Sequence, residues 1–246
     1  MGNINKRSMI DIHTHILPGV DDGSPDLFDS ILLAELAVES GVGTVIATPH
    51  SHSIPDGREH LRRIQAAYET LRRKIAERGI PLELLLGMEI FCWDDFEDRF
   101  REGTVLPLNG TEFFLIEFDF EAPPERILEA VETVRRHGGR PVIAHPERYT
   151  CLQQDVSLAG TWVSLGCQLQ MNKGSVFGAF GRKARRTSLK LLKSGMYTYA
   201  ASDAHSPYGR TTQLDGLRDF LENKVSPDTA DILLTRSAEQ YLLHRA

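Results

Sequence analysis

Seven short apolar runs recur along the chain, and six of them carry a histidine, aspartate or glutamate at or beside their C-terminal end. They occupy residues 9–15 (MIDIHTH), 44–50 (TVIATPH), 84–90 (LLLGMEI), 113–118 (FFLIEF), 141–148 (PVIAHPER), 167–173 (CQLQMNK) and 197–205 (YTYAASDAH). Near-continuous apolar runs of this length suit parallel strands buried on both faces. One strand ending on histidine carries little information. Six such endings predict that the strand tips converge on one polar site.

Amphipathic stretches follow the runs. Residues 25–40, behind a capping Ser24, and 57–78, ending at Gly79, place apolar residues three or four apart. A third helix opens at Pro123-Pro124 and closes at Gly138-Gly139. Residues 93–101, 158–165, 185–194, 212–223 and 227–244 complete the set. Strands alternating with helices predict a parallel sheet with helical crossovers. Seven repeats without a G-x-G-x-x-G fingerprint favour a distorted (β/α)7 TIM-like barrel, whose active site lies at the C-terminal ends of the strands. The chain divides into a flexible N-terminal extension, residues 1–8, and a single barrel domain, residues 9–246.

A net charge of −6 argues against nucleic acid as a partner, since phosphate backbones want a basic face. Cys92, Cys151 and Cys167 form no CxxC pair and are expected to be small buried residues in a reducing compartment. No signal-peptide core and no apolar run of about 20 residues is present. These features predict a cytoplasmic protein without membrane insertion.

Alternate strand residues share a face, so His13 and His15 can bind one ion, and Asp203 and His205 repeat the arrangement on the last run. His50, Glu89, Glu117 and His145 end intervening runs; a solvated strand end is the alternative for each alone. Asp21 and Asp22 sit in GVDDGS, where turn chemistry is the competing explanation. Imidazole and carboxylate without thiolate select manganese, iron or zinc. Clustered divalent ions acidify a water and neutralise phosphoryl oxygens, so attack of metal hydroxide on a phosphoester fits the donor set. Arg148 and Arg210, just downstream of two ligand motifs, suit phosphate binding, with surface ion pairs as the alternative.

A cysteine phosphatase needs an arginine six residues after the nucleophile, yet those positions hold Asp98, Ser157 and Lys173. Neither a Walker A sequence nor a G-x-S-x-G elbow occurs. His52 fits a mobile loop, while His60, His137 and His244 fall on helices and are expected to be solvated. Asn172 and Lys173 could support the ligands from behind. The basic run 181–186 could attract an acidic protein tail, with a solvated helix start as the alternative.

In order, DIHTHILPGVDDG, ATPH, GMEI, LIEF, IAHPERY and SDAH resemble the PHP (polymerase and histidinol phosphatase) superfamily, and more narrowly its bacterial capsule-type tyrosine-protein phosphatases. The resemblance spans Asp11 to Arg210. It implies a seven-stranded barrel holding three metal ions, typically manganese. His13, His15, Glu89 and Asp203 would surround the first ion. Glu89 would bridge to a second, held also by Glu117 and His145, and Asp22, His50 and His205 would hold the third. Arg148 and Arg210 match arginines directed at phosphate. Asp22 and Glu117 favour the protein-tyrosine branch over histidinol phosphatases, which tend to use histidine there. The implied partner is a phosphotyrosine protein, a bacterial tyrosine autokinase controlling capsule or exopolysaccharide synthesis. The competing readings are a small-molecule phosphomonoesterase and a catalytically silent kinase-binding metalloprotein. The segment after Arg210 matches no motif, so its role and the oligomeric state stay open.

Overall fold

A computed structural model describes residues 7–51 and 57–243. The expected flexible extension therefore falls largely outside the described residues, as do His52 and His244.

Among the described residues, eight parallel strands form two sheets. Strands β1 (Met9–Thr14), β2 (Val42–Ala47) and β3 (Glu83–Leu86) make the first. The second contains β4 (Glu89–Phe91), β5 (Phe113–Glu117), β6 (Arg140–Ala144), β7 (Gln168–Asn172) and β8 (Tyr199–Ala201), in chain order. The run expected to be one strand at 84–90 is thus two. A Cβ on Gly87 would lie 2.9 Å from Leu108 Cδ2, so the chain passes tightly beneath that side chain and changes sheet. On the other side, Thr14 bridges Ala204, and His15 N–H donates to the Ala204 carbonyl at 2.8 Å.

The crossovers are helical: α1 (Leu27–Glu39), α2 (Gly57–Glu77), α3 (Phe96–Glu102), α4 (Pro124–Arg136), α5 (Thr150–Gln154), α6 (Leu158–Ser164), α7 (Lys173–Phe177), α8 (Gly181–Lys193), α9 (Asp215–Lys224) and α10 (Pro227–Asp231). Asp26, not Ser24, caps α1 by accepting from Asp29 N–H; the Ser24 hydroxyl is occupied donating to the Asp26 carbonyl. Pro124 opens α4, where its missing N–H costs nothing.

Two apolar clusters result. The larger joins strands to helices through residues such as Ile31, Ile64, Leu71, Ile127, Val131 and Leu191. The smaller lies between strands and contains Ile10, Ile12, Ile46, Phe113, Leu115, Val142 and Tyr199. Leu242, in the π-type turn Glu239–Leu243, and Ala238, between that turn and the π-type turn Ile232–Arg236, enter this inner cluster. Asn109 Nδ2 donates to the Leu242 carbonyl at 2.8 Å, and Arg7 pairs with Glu239. The C-terminal segment is therefore packed against the strands, and burying Leu242 alone is worth about 2 kcal/mol. Cys92 and Cys167 are buried and Cys151 is half-buried; all three are free thiols.

Candidate metal centre

The polar strand tips meet. His13 and His15, at the end of β1, turn their Nε2 atoms to within 3.3 Å of each other. Both atoms lie 3.2 Å from Glu89 Oε2 and 3.5 Å from Asp203 Oδ1. His13 Nδ1–H donates to Gln170 and His15 Nδ1–H to Asp21, which leaves the two Nε2 lone pairs facing the carboxylates. His145 Nε2 is 3.0 Å from Glu89 Oε1 and 3.5 Å from Glu117 Oε1. His50 looks both ways: Nδ1 is 3.2 Å from Glu89 Oε2, and Nε2 is 3.4 Å from Asp22 Oδ1. His205 Nε2 is 3.6 Å from the same Asp22 oxygen.

All nine residues singled out from the sequence fall into four overlapping donor groups: His15, Asp22, His50 and His205; His13, His145 and Asp203; His13, His15 and Glu89; and His50, Glu89 and Glu117. Within each group the donor atoms lie within 4.8 Å of one another. His50 belongs to two of these groups, because its imidazole sits between Asp22 and Glu89. His145 groups with His13 and Asp203 and not with the Glu89 and Glu117 pairing the resemblance implied, although its Nε2 also lies near both glutamates.

Backbone conformation helps aim two of these donors. His145 and Asp203 hold left-handed backbones, with φ of 31° and 52°. Such a conformation costs a non-glycine residue about 1–3 kcal/mol and persists only where its surroundings enforce it. By strand alternation His145 would share the side of Ile143, which packs in the helix-side cluster, whereas Val142 and Ala144 enter the inner one. The left-handed turn swings the imidazole over the strand end instead. Asp203 is held by its own N–H donating to the His13 carbonyl and by Asn172 Nδ2 donating to its Oδ2.

The electrostatics fit bound cations. Burial opposes ionisation of Glu117, and nearby Glu89 and Asp203 push its carboxyl further up, well above the usual range. Burial also opposes charge on Glu89 and Asp203, yet the histidines hold both well below the carboxylate range. Four carboxylates and five imidazoles share this cluster, and among the described residues Arg148 and Arg210 make ion pairs with its Asp203. Divalent ions would relieve the like-charge crowding that raises Glu117. The donor set, all nitrogen and oxygen, fits such ions.

Above the cluster lies a cleft of about 230 Å³ lined by Phe91, Phe120, Arg148 and Arg210 together with the acidic and imidazole side chains. The Arg148 guanidinium is sandwiched between Phe120 and Phe180, 4.1 and 4.2 Å from the ring centres. Arg210 pairs with Asp203 and approaches Phe180 at 5.5 Å. Phe91 stacks on Trp93 at 4.3 Å.

Several supporting residues were not legible as such. Gln170 Oε1 accepts from both His13 Nδ1–H and the His145 backbone N–H. Glu147, buried beneath the site, accepts from Asn172 N–H and the Tyr197 hydroxyl. Asn172 does support Asp203, while Lys173 donates instead to the Thr211 and Gln213 carbonyls. His60 is buried, not solvated: its ring bonds the His50 carbonyl at 2.6 Å, so it steadies a ligand strand end. His60 shares the buried face of α2 with Ile64, Leu71 and Ile75, a spacing that signals burial but not the carbonyl it bonds.

Fold and site together define an α/β protein whose strand tips gather imidazoles and carboxylates in the manner of a polynuclear metallohydrolase. The chain belongs to the capsular polysaccharide synthesis CpsB/CapC family, which matches residues 9–243. Tyrosine-protein phosphatase YwqE of Bacillus subtilis is 35% identical over 234 residues, covering 95% of this chain and 91% of YwqE. Tyrosine-protein phosphatase CpsB of Streptococcus agalactiae serotype V is 28% identical over 204 residues, covering 80% and 83%. A crystal structure from a study of YwqE from Bacillus subtilis and CpsB from Streptococcus pneumoniae, described as metal-dependent tyrosine phosphatases, superposes with a TM-score of 0.87 at 34% identity, covering 97% of this chain and 96% of that one.

Proposed function

We propose that this protein is a metal-dependent protein-tyrosine phosphatase. The observation that carries the reading is the placement of Arg148 and Arg210 at the rim of a nine-donor cluster, inside an aromatic-walled cleft. His13, His15, Asp22, His50, Glu89, Glu117, His145, Asp203 and His205 would hold the ions, which we take to be three, with manganese first and iron or zinc as alternatives. When bound, such ions supply an activated water and neutralise phosphoryl oxygens. Arg148 and Arg210 bind the remaining phosphate oxygens and stabilise charge that grows on them during transfer. The flat faces of Phe120 and Phe180 hold the Arg148 fork in one plane, so little rotamer entropy is lost when phosphate arrives. Phe91, backed by Trp93, offers an apolar wall for an aryl ring. A tyrosyl leaving group, with pKa about 10, departs with less help from an acid than an alkoxide would need.

We take residues 9–246 as one domain, the two sheets as a distorted seven-stranded barrel split at Gly87, and the protein as cytoplasmic. The names of the relatives support a phosphotyrosine protein as substrate, and we propose an autophosphorylating tyrosine kinase of capsule or exopolysaccharide synthesis. The deciding experiment loads the protein with Mn²⁺ and compares a phosphotyrosyl peptide with histidinol phosphate, with and without chelator. Chelator-sensitive turnover of the peptide is expected. Turnover of the alkyl ester alone would replace this reading with a small-molecule phosphatase, and an inert loaded protein would favour the silent metalloprotein.

A further inference from the structure

The first residue after Phe180, whose ring packs on the cleft residues Arg148 and Arg210, begins α8, and that helix carries an unusual charge pattern. Arg182, Lys183, Arg185, Arg186, Lys190 and Lys193 are all exposed, and the helix contains no aspartate or glutamate. The chain as a whole has a net charge of −6, so this is a local concentration against the general balance. On α2, by contrast, Arg62, Arg72, Arg73 and Lys74 sit in ion pairs with Glu59, Glu69 and Glu77. Arg182, Lys183, Arg186, Lys190 and Lys193 have no ion pair with any described residue.

The placement is also locally unfavourable. Arg182 and Lys183 stand in the first turn, where the helix dipole disfavours cations, and Phe180 supplies no side-chain cap. No described residue pairs with these two cations, which is the pattern expected of a surface kept for a partner. Arg182, Arg185, Arg186, Leu189, Lys190 and Lys193 recur at steps of three and four and line one open depression along the helix. Eleven residues of helical rise give a stripe of about 17 Å, the length of about five residues of extended peptide. Its N-terminal end adjoins Phe180, whose ring packs on the cleft residue Arg148.

We infer that the exposed face of α8 is a docking strip for an acidic segment flanking the phosphotyrosine of the protein substrate. This rests on the phosphatase reading and adds the substrate's flanking charge to it. Continuity with the cleft favours a substrate chain over an anionic membrane, because a strip that starts at the reacting group can engage the polypeptide bearing that group.

The test uses the Mn²⁺-loaded full chain and an Arg182→Gln/Arg186→Gln/Lys190→Gln variant. Arg185 is left in place because its Nε–H donates to the Val176 carbonyl. Two phosphotyrosyl peptides are compared, one with Asp and Glu flanking and one with Asn and Gln at the same positions. The wild type is expected to prefer the acidic peptide in kcat/KM by about tenfold at low salt, with the preference collapsing in about 0.5 M salt and in the variant. Binding of the unphosphorylated acidic peptide, read by fluorescence anisotropy, is expected to weaken in parallel. Equal kcat/KM for the two peptides together with no anisotropy change between wild type and variant would overturn the inference. So would charge-dependent binding of the same face to phosphatidylserine vesicles without any peptide preference. If neither peptide is hydrolysed, the phosphatase reading fails, and the anisotropy comparison still decides the docking strip by itself.

Discussion

His15 Nδ1–H donates to Asp21 Oδ2 at 2.8 Å, and that one bond turns the His15 Nε2 lone pair toward Glu89 and Asp203. Asp21 also accepts from the backbone N–H groups of Gly23 and His50, so it ties the first and second strand ends together. Burial works against its charge, but His15 beside it holds the carboxyl well below its ordinary range. Asp21→Asn keeps the size while weakening the acceptor. Mn²⁺ affinity is expected to fall by about 10–100-fold with the fold retained, measured by titration calorimetry with circular dichroism as the check. An unchanged affinity would mean His15 needs no orienting partner.

Arg148→Lys should separate phosphate binding from metal binding. A lysine ammonium cannot fill the planar slot between Phe120 and Phe180 or make a bidentate contact. The loss of one charge-assisted fork predicts a rise of about tenfold or more in KM for a phosphotyrosyl peptide. Metal content, measured by mass spectrometry, should be unaltered; a drop in bound metal would place Arg148 in the metal cluster instead.

Gly23 has no room for a side chain. An added Cβ would lie 2.2 Å from the His15 carbonyl oxygen, so Gly23→Ala must displace the loop that carries Asp21 and Asp22. Activity is expected to fall at least about tenfold, since displacement of about 1 Å in a catalytic constellation can cost more than that. Full activity of purified Gly23→Ala, assayed with saturating metal, would contradict the rigid-loop account.

Metal-free protein should be most stable near pH 6.5. Burial and His15 keep His50 and His205 at about 4, so the unfolded chain binds more protons than the fold between pH 4 and 6.5, and stability climbs with pH there. Burial opposes charge on His13 and His15 too, but Glu89 and Asp203, with Asp21 for His15, outweigh it and raise both. Their contribution is complete below the unfolded value near 6.5 and is lost as pH rises through the folded values. Melting temperature against pH, in chelator, checks the shape; a monotonic rise to pH 9 would count against it.

Metal loading reverses the alkaline limb. Divalent ions need neutral imidazole, and the surrounding carboxylates raise His13 and His15, so metal binding near neutral pH is expected to release protons. Calorimetry in two buffers of different ionisation enthalpy is expected to show release of about one proton or more per cluster. No release would show that these rings are already neutral.

The strand-tip placement of the candidate ligands was legible because parallel strands write their apolar cores as continuous runs and end where solvent or a site begins. His13 and His15 followed from two-residue alternation, and Asp203 with His205 from the same rule. His60 and Gln170 were not legible, since both act through contacts 10 and 25 residues or more away in sequence. Ser24 was mistaken for a cap because only the folded turn shows its hydroxyl engaged with Asp26.

Sequence alone determined which residues could bind metal, which side of the sheet they occupy, and that Arg148 and Arg210 accompany them. Tertiary structure decided how those donors share carboxylates, how left-handed turns re-aim His145 and Asp203, and that Gly87 splits one apolar run between two sheets. The division is physical. Strand periodicity and apolar burial are local properties written into each segment, whereas a metal-sized gap between six strand ends exists only once the strands are packed side by side.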